Sequence, residues 1–285
     1  MSDERQAEQT TAQRVESRLP RIAASSYLNT APLIWSFTHG AKQHGVVKLL
    51  TDAAPARCAA MLTQGEVEAA LVPVIEYQRI PEIYVVPDVC VGAQMRVRSV
   101  VLVAREPTEL SDVRSIALDT SSRTSIALVQ IIFREFLKVE VEWTPHAPDL
   151  RQMLDRHDAA LLIGDPAMTF HQERLRVYDL AELWREYTGL GFVFAMWMVR
   201  RAGVEHLRAI DFAKARDEGL AHADEIAAQY AKALNLPAEE LRAYLLQNIS
   251  YHLDAKMRAG LELFYKLAHK HKLVESLRPL KMIGA

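Results

Sequence analysis

Short apolar runs alternate with helical patterns from Arg21 to about residue 200, and this alternation constrains the fold more than any other feature of the chain. The runs at residues 69–74 and 159–163 are continuous and apolar, as expected of strands buried on both faces of a sheet. Helical patterns such as residues 55–64 and 123–137 follow strand-like runs, which is the signature of βαβ units. The sequence therefore predicts an α/β protein with largely parallel sheets.

The order of these elements predicts two lobes. With 285 residues, 50% of them hydrophobic, the chain can bury two cores. The polar, turn-rich tract at 106–113 is the predicted crossover into a second α/β unit, and the apolar tract at 189–199 fits a strand that returns to the first. Beyond that strand the pattern is helical. We expect residues 21–104 and 198–285 to form lobe 1, and residues 105–197 to form lobe 2.

Two α/β lobes with two crossings and a helical C-terminal return describe the architecture of type II periplasmic binding proteins, with a ligand cleft between the lobes. In such sheets, ligands bind beside the C-terminal ends of strands and the N-termini of helices. Three loops follow predicted strands in this way, at residues 24–30, 118–125 and 163–167. They hold most of the candidate site residues.

Composition and charge exclude several classes of function. Lys and Arg total 34 against 36 Asp and Glu, a formal net charge of -2, so no global field would attract nucleic acid or an anionic membrane surface. Cys58 and Cys90 lack C-x-x-C spacing, and the ten histidines show no metal-ligand spacing. We therefore expect neither a metal site nor a disulfide.

The first 20 residues are polar and mixed in charge, without hydrophobic periodicity, and they predict a mobile tail. They lack the apolar region of a secretory signal, and no segment approaches the roughly 18 apolar residues of a membrane span. We expect a cytoplasmic protein without a membrane partner. The sequence does not indicate an oligomeric state.

The first loop, A-S-S-Y-L-N-T-A-P-L, places polar side chains between a strand and a helix, including Ser25, Asn29 and Thr30. One interpretation is local, since Ser, Thr and Asn are preferred as helix N-caps. The other is functional, with Asn29 pointing into the cleft and donating a hydrogen bond to a ligand oxygen. Spacing alone favours the cap.

The second loop, L-D-T-S-S-R-T-S, groups five hydroxyl side chains where a strand ends and a helix begins. Free N–H groups and the positive end of the helix dipole stabilise anions there, and hydroxyl donors add directed hydrogen bonds. Ordinary N-capping by Ser121 or Ser122 is the competing interpretation, although one cap does not need so many donors. The pattern predicts a carboxylate site formed by Thr120, Ser121, Ser122, Thr124 and Ser125.

Three further candidates are less determined by their context. Period-two alternation in a predicted strand at residues 97–103 puts Arg96 and Arg98 on one face and Ser99 on the other. The pattern fits a cleft location and a solvent location equally well for Arg98, and it leaves the location of Ser99 undecided too. In L-L-I-G-D-P-A, Asp165 fits a helix N-cap, with a cleft carboxylate as the alternative.

Six tracts follow one another in the chain: S-Y-L-N-T-A-P-L, R-V-R-S-V, L-D-T-S-S-R-T-S, L-L-I-G-D-P-A, T-G-L-G-F-V-F-A-M-W, and N-I-S-Y-H-L before G-L-E-L-F-Y. In these tracts and in their order, from Arg21 almost to the C-terminus, the sequence resembles the chorismate dehydratase family. Two residues depart from the family pattern: Gly191, where related sequences more often carry Pro, and Met95.

The resemblance implies loss of water from chorismate, a small dicarboxylate, to give 3-[(1-carboxyvinyl)oxy]benzoate at the start of the futalosine route to menaquinone. It implies no metal or organic cofactor, and Asn29 corresponds to the family's asparagine in S-Y-L-N, the central catalytic position. The base is either a substrate carboxylate or Asp165. Two alternatives are a cytoplasmic carboxylate sensor of the same fold and the sister enzyme that acts on cyclic dehypoxanthine futalosine.

Overall fold

Two five-stranded sheets organise the computed structural model, which describes residues 19–41 and 43–284. Nearly all of the predicted mobile tail lies outside the described residues. The first sheet has the order β2-β1-β3-β10-β4 and defines lobe 1, and the second has the order β7-β6-β8-β5-β9 and defines lobe 2. The strands are β1 (Arg21–Ser25), β2 (Lys48–Asp52), β3 (Ala69–Pro73), β4 (Ile83–Ala93), β5 (Val100–Arg105), β6 (Ser115–Asp119), β7 (Glu142–His146), β8 (Ala159–Ile163), β9 (Leu175–Asp179) and β10 (Phe192–Arg200).

The two sheets are built alike. In lobe 1, β1 pairs in parallel with β2 and β3, and β10 lies antiparallel between β3 and β4. In lobe 2, β6 pairs in parallel with β7 and β8, and β5 lies antiparallel between β8 and β9. The carboxyl ends of β1, β2 and β3 therefore meet at one edge, as do those of β6 and β8.

Strand β5 and most of β10 belong to the lobe opposite to the one expected from the sequence, so both expected lobe boundaries move. The expected boundaries at 104/105 and 197/198 fall inside β5 and β10. Because β5 pairs with β8 and β9, the chain enters lobe 2 before Val100, and the turn tract at 106–113 connects two strands of the same sheet. The return precedes Phe192.

The two departures from the family pattern, Met95 and Gly191, lie one in each crossing between the lobes. Met95 is 56% exposed in the first crossing. In the second, a Cβ added at Gly191 would lie 2.7 Å from Cγ of Met257, so the backbone here packs closely on the C-terminal helix.

The helices cover the sheets, and those after β10 form the expected helical return. A linker at residues 235–237 interrupts this return. The helices are α1 (Ala31–Thr38), α2 (Pro55–Gln64), α3 (Arg123–Ile131, continued by a π-helical turn to Leu137), α4 (Leu150–Leu154), α5 (Pro166–Thr169), α6 (Leu180–Thr188), α7 (Phe212–Ala221), α8 (Ala223–Leu234), α9 (Ala238–Ala243, continued by the π-helical turn Tyr244–Asn248) and α10 (Ala255–Lys270). None of the helices in the described ranges has the length and apolar content to cross a membrane.

One apolar core extends through both lobes. Alternate residues of β5, among them Val100 and Leu102, belong to this shared core, whereas Val101 and Val103 belong to a smaller cluster on the other face of the second sheet. This follows from the period of two along a strand. Helix α10 packs on β10 and also on α3, so the C-terminal return contacts both lobes.

Candidate active site

A small cavity, about 50 Å³ in volume, lies where the two lobes face each other. Its walls are mainly apolar, and the polar lining residues come from the loops that the sequence singled out. Lobe 1 contributes Ser25, Tyr27, Asn29, Thr30, Pro55, Leu71, Pro73, Val91, Phe194 and Ala195, and lobe 2 with its crossing contributes Val100, Ser122, Ile163 and Gly164.

The first loop points its polar side chains into the cavity instead of capping a helix. After β1, a 3-10 turn at Leu28–Thr30 leads into α1, where Thr30 takes the N-cap position without a side-chain capping bond. The Thr30 hydroxyl instead lies 2.8 Å from Ser25 Oγ and donates to Asn29 Oδ1 over 3.3 Å. The N-cap interpretation favoured by spacing is therefore wrong for this loop.

The five hydroxyl groups of the second loop are used differently, and one of them lines the cavity. Ser122 is the N-cap of α3, accepting from Ser125 N over 3.3 Å, and it also faces the cavity. Its hydroxyl donates to Ser125 Oγ over 3.0 Å, and Ser121 donates to the buried carboxylate of Asp119. Capping and cavity lining thus coincide at Ser122.

The other two hydroxyl groups of this loop point away from the cavity. Thr120 is exposed and contacts the carbonyl of His146 over 3.4 Å. Thr124 is fully buried, and its hydroxyl accepts a hydrogen bond from Ile75 N over 3.2 Å. Since Ile75 belongs to lobe 1, the Thr124 bond joins the two lobes.

Each of the three loops that follow β1, β2 and β3 contacts lobe 2. After β2, Ala56 N donates to Ser121 O over 3.1 Å. After β3, the Thr124 bond is accompanied by an ion pair of 2.9 Å between Glu76 and Arg123. Glu76 is fully buried and also pairs with Arg79. These contacts hold the lobes together around the cavity.

Asp165 of lobe 2 forms the contact with the loop after β1. It accepts a hydrogen bond from Leu28 N over 3.0 Å and makes no side-chain capping bond to α5. Burial raises the pKa of Asp165 to about 6, against the opposing effect of the Leu28 N–H. Neighbouring Gly164 has φ +66°, and a Cβ there would lie 2.5 Å from the Tyr27 ring. This loop therefore fits closely against lobe 1.

Arg98 and Ser99 precede β5, and the strand expected at 97–103 begins only at Val100. Arg98 has φ +65°, which ends the predicted alternation of faces, and its guanidinium pairs with Glu240. Its backbone N–H donates to Asp179 over 2.6 Å. Arg98 is thus directed away from the cavity lining, whereas Ser99 is fully buried and accepts from the Tyr244 hydroxyl over 2.7 Å.

Sequence reasoning missed several lining residues. Phe194 and Ala195 lie in the tract that was interpreted as a core strand, and both line the cavity. Tyr27 stands inside a loop motif that was analysed for its hydroxyl and amide groups. The signal available for Tyr27 was its position as an aromatic residue between candidate polar residues. The strand that contains Phe194 and Ala195 gave no signal that it lines a cavity.

Helix N-termini and nearby carboxylates both act on the cavity, since burial and then the charges of Asp119, Asp165 and Asp52 raise the pKa of the lining residue Tyr27. None of the described residues that line it carries a charged side chain. Three of them mark helix starts: Thr30 at α1, Pro55 at α2 and Ser122 at α3. The helix dipoles at such ends stabilise an anion without a full countercharge, and at α2 the dipole acts alone because Pro55 has no N–H and Ala56 N donates to Ser121 O. No group of three or more His, Cys, Asp or Glu in the described ranges is arranged to hold a metal ion.

Comparison with known proteins agrees with this arrangement. The family model described as menaquinone biosynthesis matches residues 20–270. The chorismate dehydratase of Thermus thermophilus is 32% identical over 262 residues, covering 84% of this chain and 91% of that protein.

Solved structures share the fold. A crystal structure of an Archaeoglobus fulgidus protein has a TM-score of 0.73 at 19% identity and covers 90% of this chain and 99% of its own. The periplasmic aliphatic sulphonate binding protein of Escherichia coli has a TM-score of 0.62 at 17% identity, with 94% of each chain covered. The predicted two-lobed periplasmic-binding-protein-like fold is confirmed. By its sequence, the chain belongs to the chorismate dehydratase family of menaquinone biosynthesis.

Proposed function

We propose that this protein is a chorismate dehydratase, a hydro-lyase that converts chorismate to 3-[(1-carboxyvinyl)oxy]benzoate and water. The observation that carries the proposal is the cavity between the lobes, where Asn29 stands among three helix N-termini. The Thermus thermophilus relative of that name supports the substrate. A cytoplasmic place in the futalosine route to menaquinone fits the same assignment.

The lining of this cavity suits a dicarboxylate. Chorismate carries one carboxylate on its ring and one on its enolpyruvyl group, and the N-termini of α2 and α3 face the cavity from opposite lobes. The end of α3 can bind an anion through N–H groups and the helix dipole, whereas α2 acts through its dipole alone because Pro55 has no N–H and Ala56 N donates to Ser121 O. Ser25 and Ser122 add hydroxyl groups within the lining, and we assign them to substrate contacts. For Ser122 this contact requires its hydrogen to turn from Ser125 Oγ to the substrate.

The reaction breaks two bonds and needs no change of oxidation state. The C3–H proton is removed, its electron pair forms the C3–C4 double bond, and the C4 hydroxyl leaves. The proton and the hydroxide account for the water, and the ring becomes aromatic. Since no electrons enter or leave, we propose that no redox cofactor is required.

We assign the base to the enolpyruvyl carboxylate of the substrate. Asp165, the protein carboxylate that the sequence offers as a base, accepts a hydrogen bond from Leu28 N and is not among the lining residues. Asn29 donates to the oxygen on which charge develops as the C4–O bond breaks, and preorganised donors of this kind contribute strongly to catalysis. Holding the carboxylate against C3 supplies proximity.

The remaining hydroxyl groups of the second loop have structural roles in this proposal. Ser121, Thr124 and Ser125 hydrogen-bond within the loop or across the cleft, and we assign them to closure and capping. Asp165 joins them as a closure contact. Thr120 and Arg98 lie outside the lining and are not assigned to the substrate.

The test is to incubate the purified protein with chorismate and follow the products by chromatography and mass. We expect a product lighter by one water that coelutes with 3-[(1-carboxyvinyl)oxy]benzoate. Chorismate that binds and is returned intact would contradict the proposal, and it would indicate a carboxylate sensor of the same fold.

A further inference from the structure

The short helical turn that carries Asn29 cannot complete its own series of backbone hydrogen bonds. In this 3-10 turn each N–H bonds the carbonyl three residues earlier, as Ala31 N does with the carbonyl of Leu28. The next carbonyl is that of Asn29, and the residue three positions on is Pro32, which has no N–H. The sequence therefore leaves the Asn29 carbonyl without the donor that the turn would otherwise supply.

Tyr251 supplies a donor to this carbonyl from the C-terminal helical return. Its hydroxyl donates to the carbonyl oxygen of Asn29 over 3.1 Å, although 222 residues separate the two in the chain. Tyr251 is 3% exposed, and burial raises the pKa of its phenol well above the usual range. The phenol therefore keeps its proton and holds the main chain of a residue that lines the cavity.

The segment around Tyr251 is itself fixed to the first sheet. Ser250 and Gly92 exchange two backbone hydrogen bonds of 2.8 and 3.0 Å, and Cys90 N donates to the carbonyl of Tyr251 over 3.2 Å. Cys90 and Gly92 belong to β4, and Val91 between them lines the cavity. The phenol of Tyr251 is therefore anchored to the sheet that forms one wall of the cavity, and it acts as a rigid support.

A second tyrosine of the C-terminal return holds the other end of the same loop. Tyr230 of α8 donates from its hydroxyl to the carbonyl of Ser26 over 2.9 Å. Ser26 is not among the lining residues, so this bond acts three residues before Asn29, whereas Tyr251 acts on Asn29 itself. The two bonds allow the effect of holding the loop to be separated from the effect of holding Asn29.

We propose that Tyr251 is a positioning residue for dehydration, which holds the Asn29 carbonyl and so keeps the Asn29 carboxamide directed at the reacting oxygen of the substrate. The proposal rests on the dehydratase function proposed above. Rotation of the Asn29 main chain swings its side chain, since both are attached to the same Cα. Hydrogen bonds from buried, fixed residues hold a catalytic side chain in its productive geometry.

Tyr251→Phe keeps the buried ring and removes the hydroxyl. Because a misplacement of about 1 Å costs up to roughly 10²-fold in rate, we expect kcat for chorismate to fall about 10- to 100-fold. We expect KM to change by less than about threefold, because Ser25, Ser122 and the helix N-termini assigned to the carboxylates are unchanged. A kcat within about threefold of the unaltered protein, with or without a rise in KM, overturns the proposal.

Tyr265→Phe is the matched control. Tyr265 also belongs to the C-terminal return, is 2% exposed, and donates to the carbonyl of Val74 over 2.8 Å. Val74 is not among the lining residues. Both variants lose one hydrogen bond from a buried phenol to a backbone carbonyl of lobe 1, so we expect similar unfolding temperatures and a kcat loss in Tyr251→Phe alone. Equal kcat losses in both variants contradict the positioning role.

Tyr230→Phe tests whether the effect belongs to Asn29 or to the loop as a whole. It removes the phenol from the carbonyl of Ser26 and leaves the bond between Tyr251 and Asn29 in place. We expect its kcat loss to be smaller than that of Tyr251→Phe, because it acts farther from the carboxamide. A loss as large in Tyr230→Phe shows that turnover follows the stability of the loop, and it overturns the specific role of Tyr251.

A double-mutant cycle distinguishes positioning from a separate contribution. In an Asn29→Ala background there is no carboxamide to orient, so Tyr251→Phe should reduce kcat by less than about threefold. A loss as large as in the unaltered background shows that Tyr251 does not act through the Asn29 side chain, and it overturns the proposal.

Crystal structures of the unaltered protein and of Tyr251→Phe test the geometry without turnover. In the variant we expect the Asn29 carboxamide to shift by about 1 Å or to adopt a second rotamer, and an unmoved carboxamide contradicts the proposal. If the unaltered protein does not dehydrate chorismate, the function proposed above fails, yet this structural comparison still decides whether Tyr251 positions Asn29.

Discussion

The loops after β1 and β6 occupy equivalent places in the two sheets, yet they contribute differently to the lining of the cavity. Ser25, Tyr27, Asn29 and Thr30 after β1 all line the cavity. The loop after β6 carries five hydroxyl groups, of which that of Ser122 lines it. A cluster of polar residues at the end of a strand therefore indicates where the lobes meet. The side chains that line the cavity come mainly from the loop after β1.

The largest effect is expected from the loop after β1. Asn29→Ala removes a donor from the reacting oxygen, so kcat for chorismate should fall about 10²- to 10³-fold. Product formation by mass measures this, with a thermal unfolding curve as the folding control. Asn248→Ala, which removes the bond from Asn248 to the carbonyl of Arg96, should retain its kcat. Full turnover by Asn29→Ala would remove the distinction between the two loops.

The second effect concerns closure. Thr124→Val keeps the shape of the side chain and leaves Ile75 N without its acceptor in the closed protein. An unsatisfied buried donor costs about 1 to 3 kcal/mol, so KM for chorismate should rise about 5- to 150-fold with little change in kcat at saturation. Thr124→Ser, which restores the hydroxyl, should return KM toward its original value. A lower kcat with unchanged KM would instead make Thr124 part of the catalytic apparatus.

Ser122 allows capping and ligand binding to be separated. Both Ser122→Ala and Ser122→Gly lose the cavity hydroxyl, so both should raise KM about fivefold, equivalent to about 1 kcal/mol. Alanine at an N-cap costs about 1 kcal/mol of stability and glycine only a few tenths. Chemical denaturation should therefore separate the two variants while their KM values agree. Different KM values would mean that Ser122 acts through helix capping.

Asp165→Asn is expected to have the smallest effect on rate and a distinct effect on stability. The pKa of Asp165 is raised to about 6, so between about pH 4 and 6 the folded protein binds more protons than the unfolded chain. The free energy of unfolding then falls as the pH rises through this window. Asparagine keeps an acceptor for Leu28 N without the buried charge.

We therefore expect Asp165→Asn to be more stable than the unaltered protein at pH 7.5, by about 1 to 3 kcal/mol, and equally stable below about pH 4. Denaturation at several pH values measures the difference. Its kcat should stay within about threefold, because the base is assigned to the substrate. A loss of about 10²-fold would identify Asp165 as the base.

The regular parts of the fold could be predicted because local pattern determines them. The helix at 55–64 and the strand at 159–163 begin and end where the sequence predicts. Strand β4 was missed because Pro87 and Asp88, the latter with φ +52°, interrupt its pattern, and its pairing with β10 is irregular. Strand β9 was missed because its residues are mostly half-buried and do not form a continuous apolar run.

The candidate site could be predicted as far as its loops and no further. Which hydroxyl faces the ligand depends on how the lobes meet, and the bond between Ile75 and Thr124 has no local signature. The Tyr244 contact with Ser99 spans 145 residues. The strand at 189–199 is apolar whether it lines a core or a cavity, so its pattern could not assign Phe194 to the site.

The most direct test of Asn29 as the centre of the site is a crystal structure of the Asn29→Ala variant soaked with chorismate, which should accumulate unreacted substrate. We expect its carboxylates at the N-termini of α2 and α3 and its C4 hydroxyl toward the position vacated by the Asn29 amide. Chorismate bound with its C4 hydroxyl turned away from residue 29, or outside the cavity between the lobes, would contradict the mechanism.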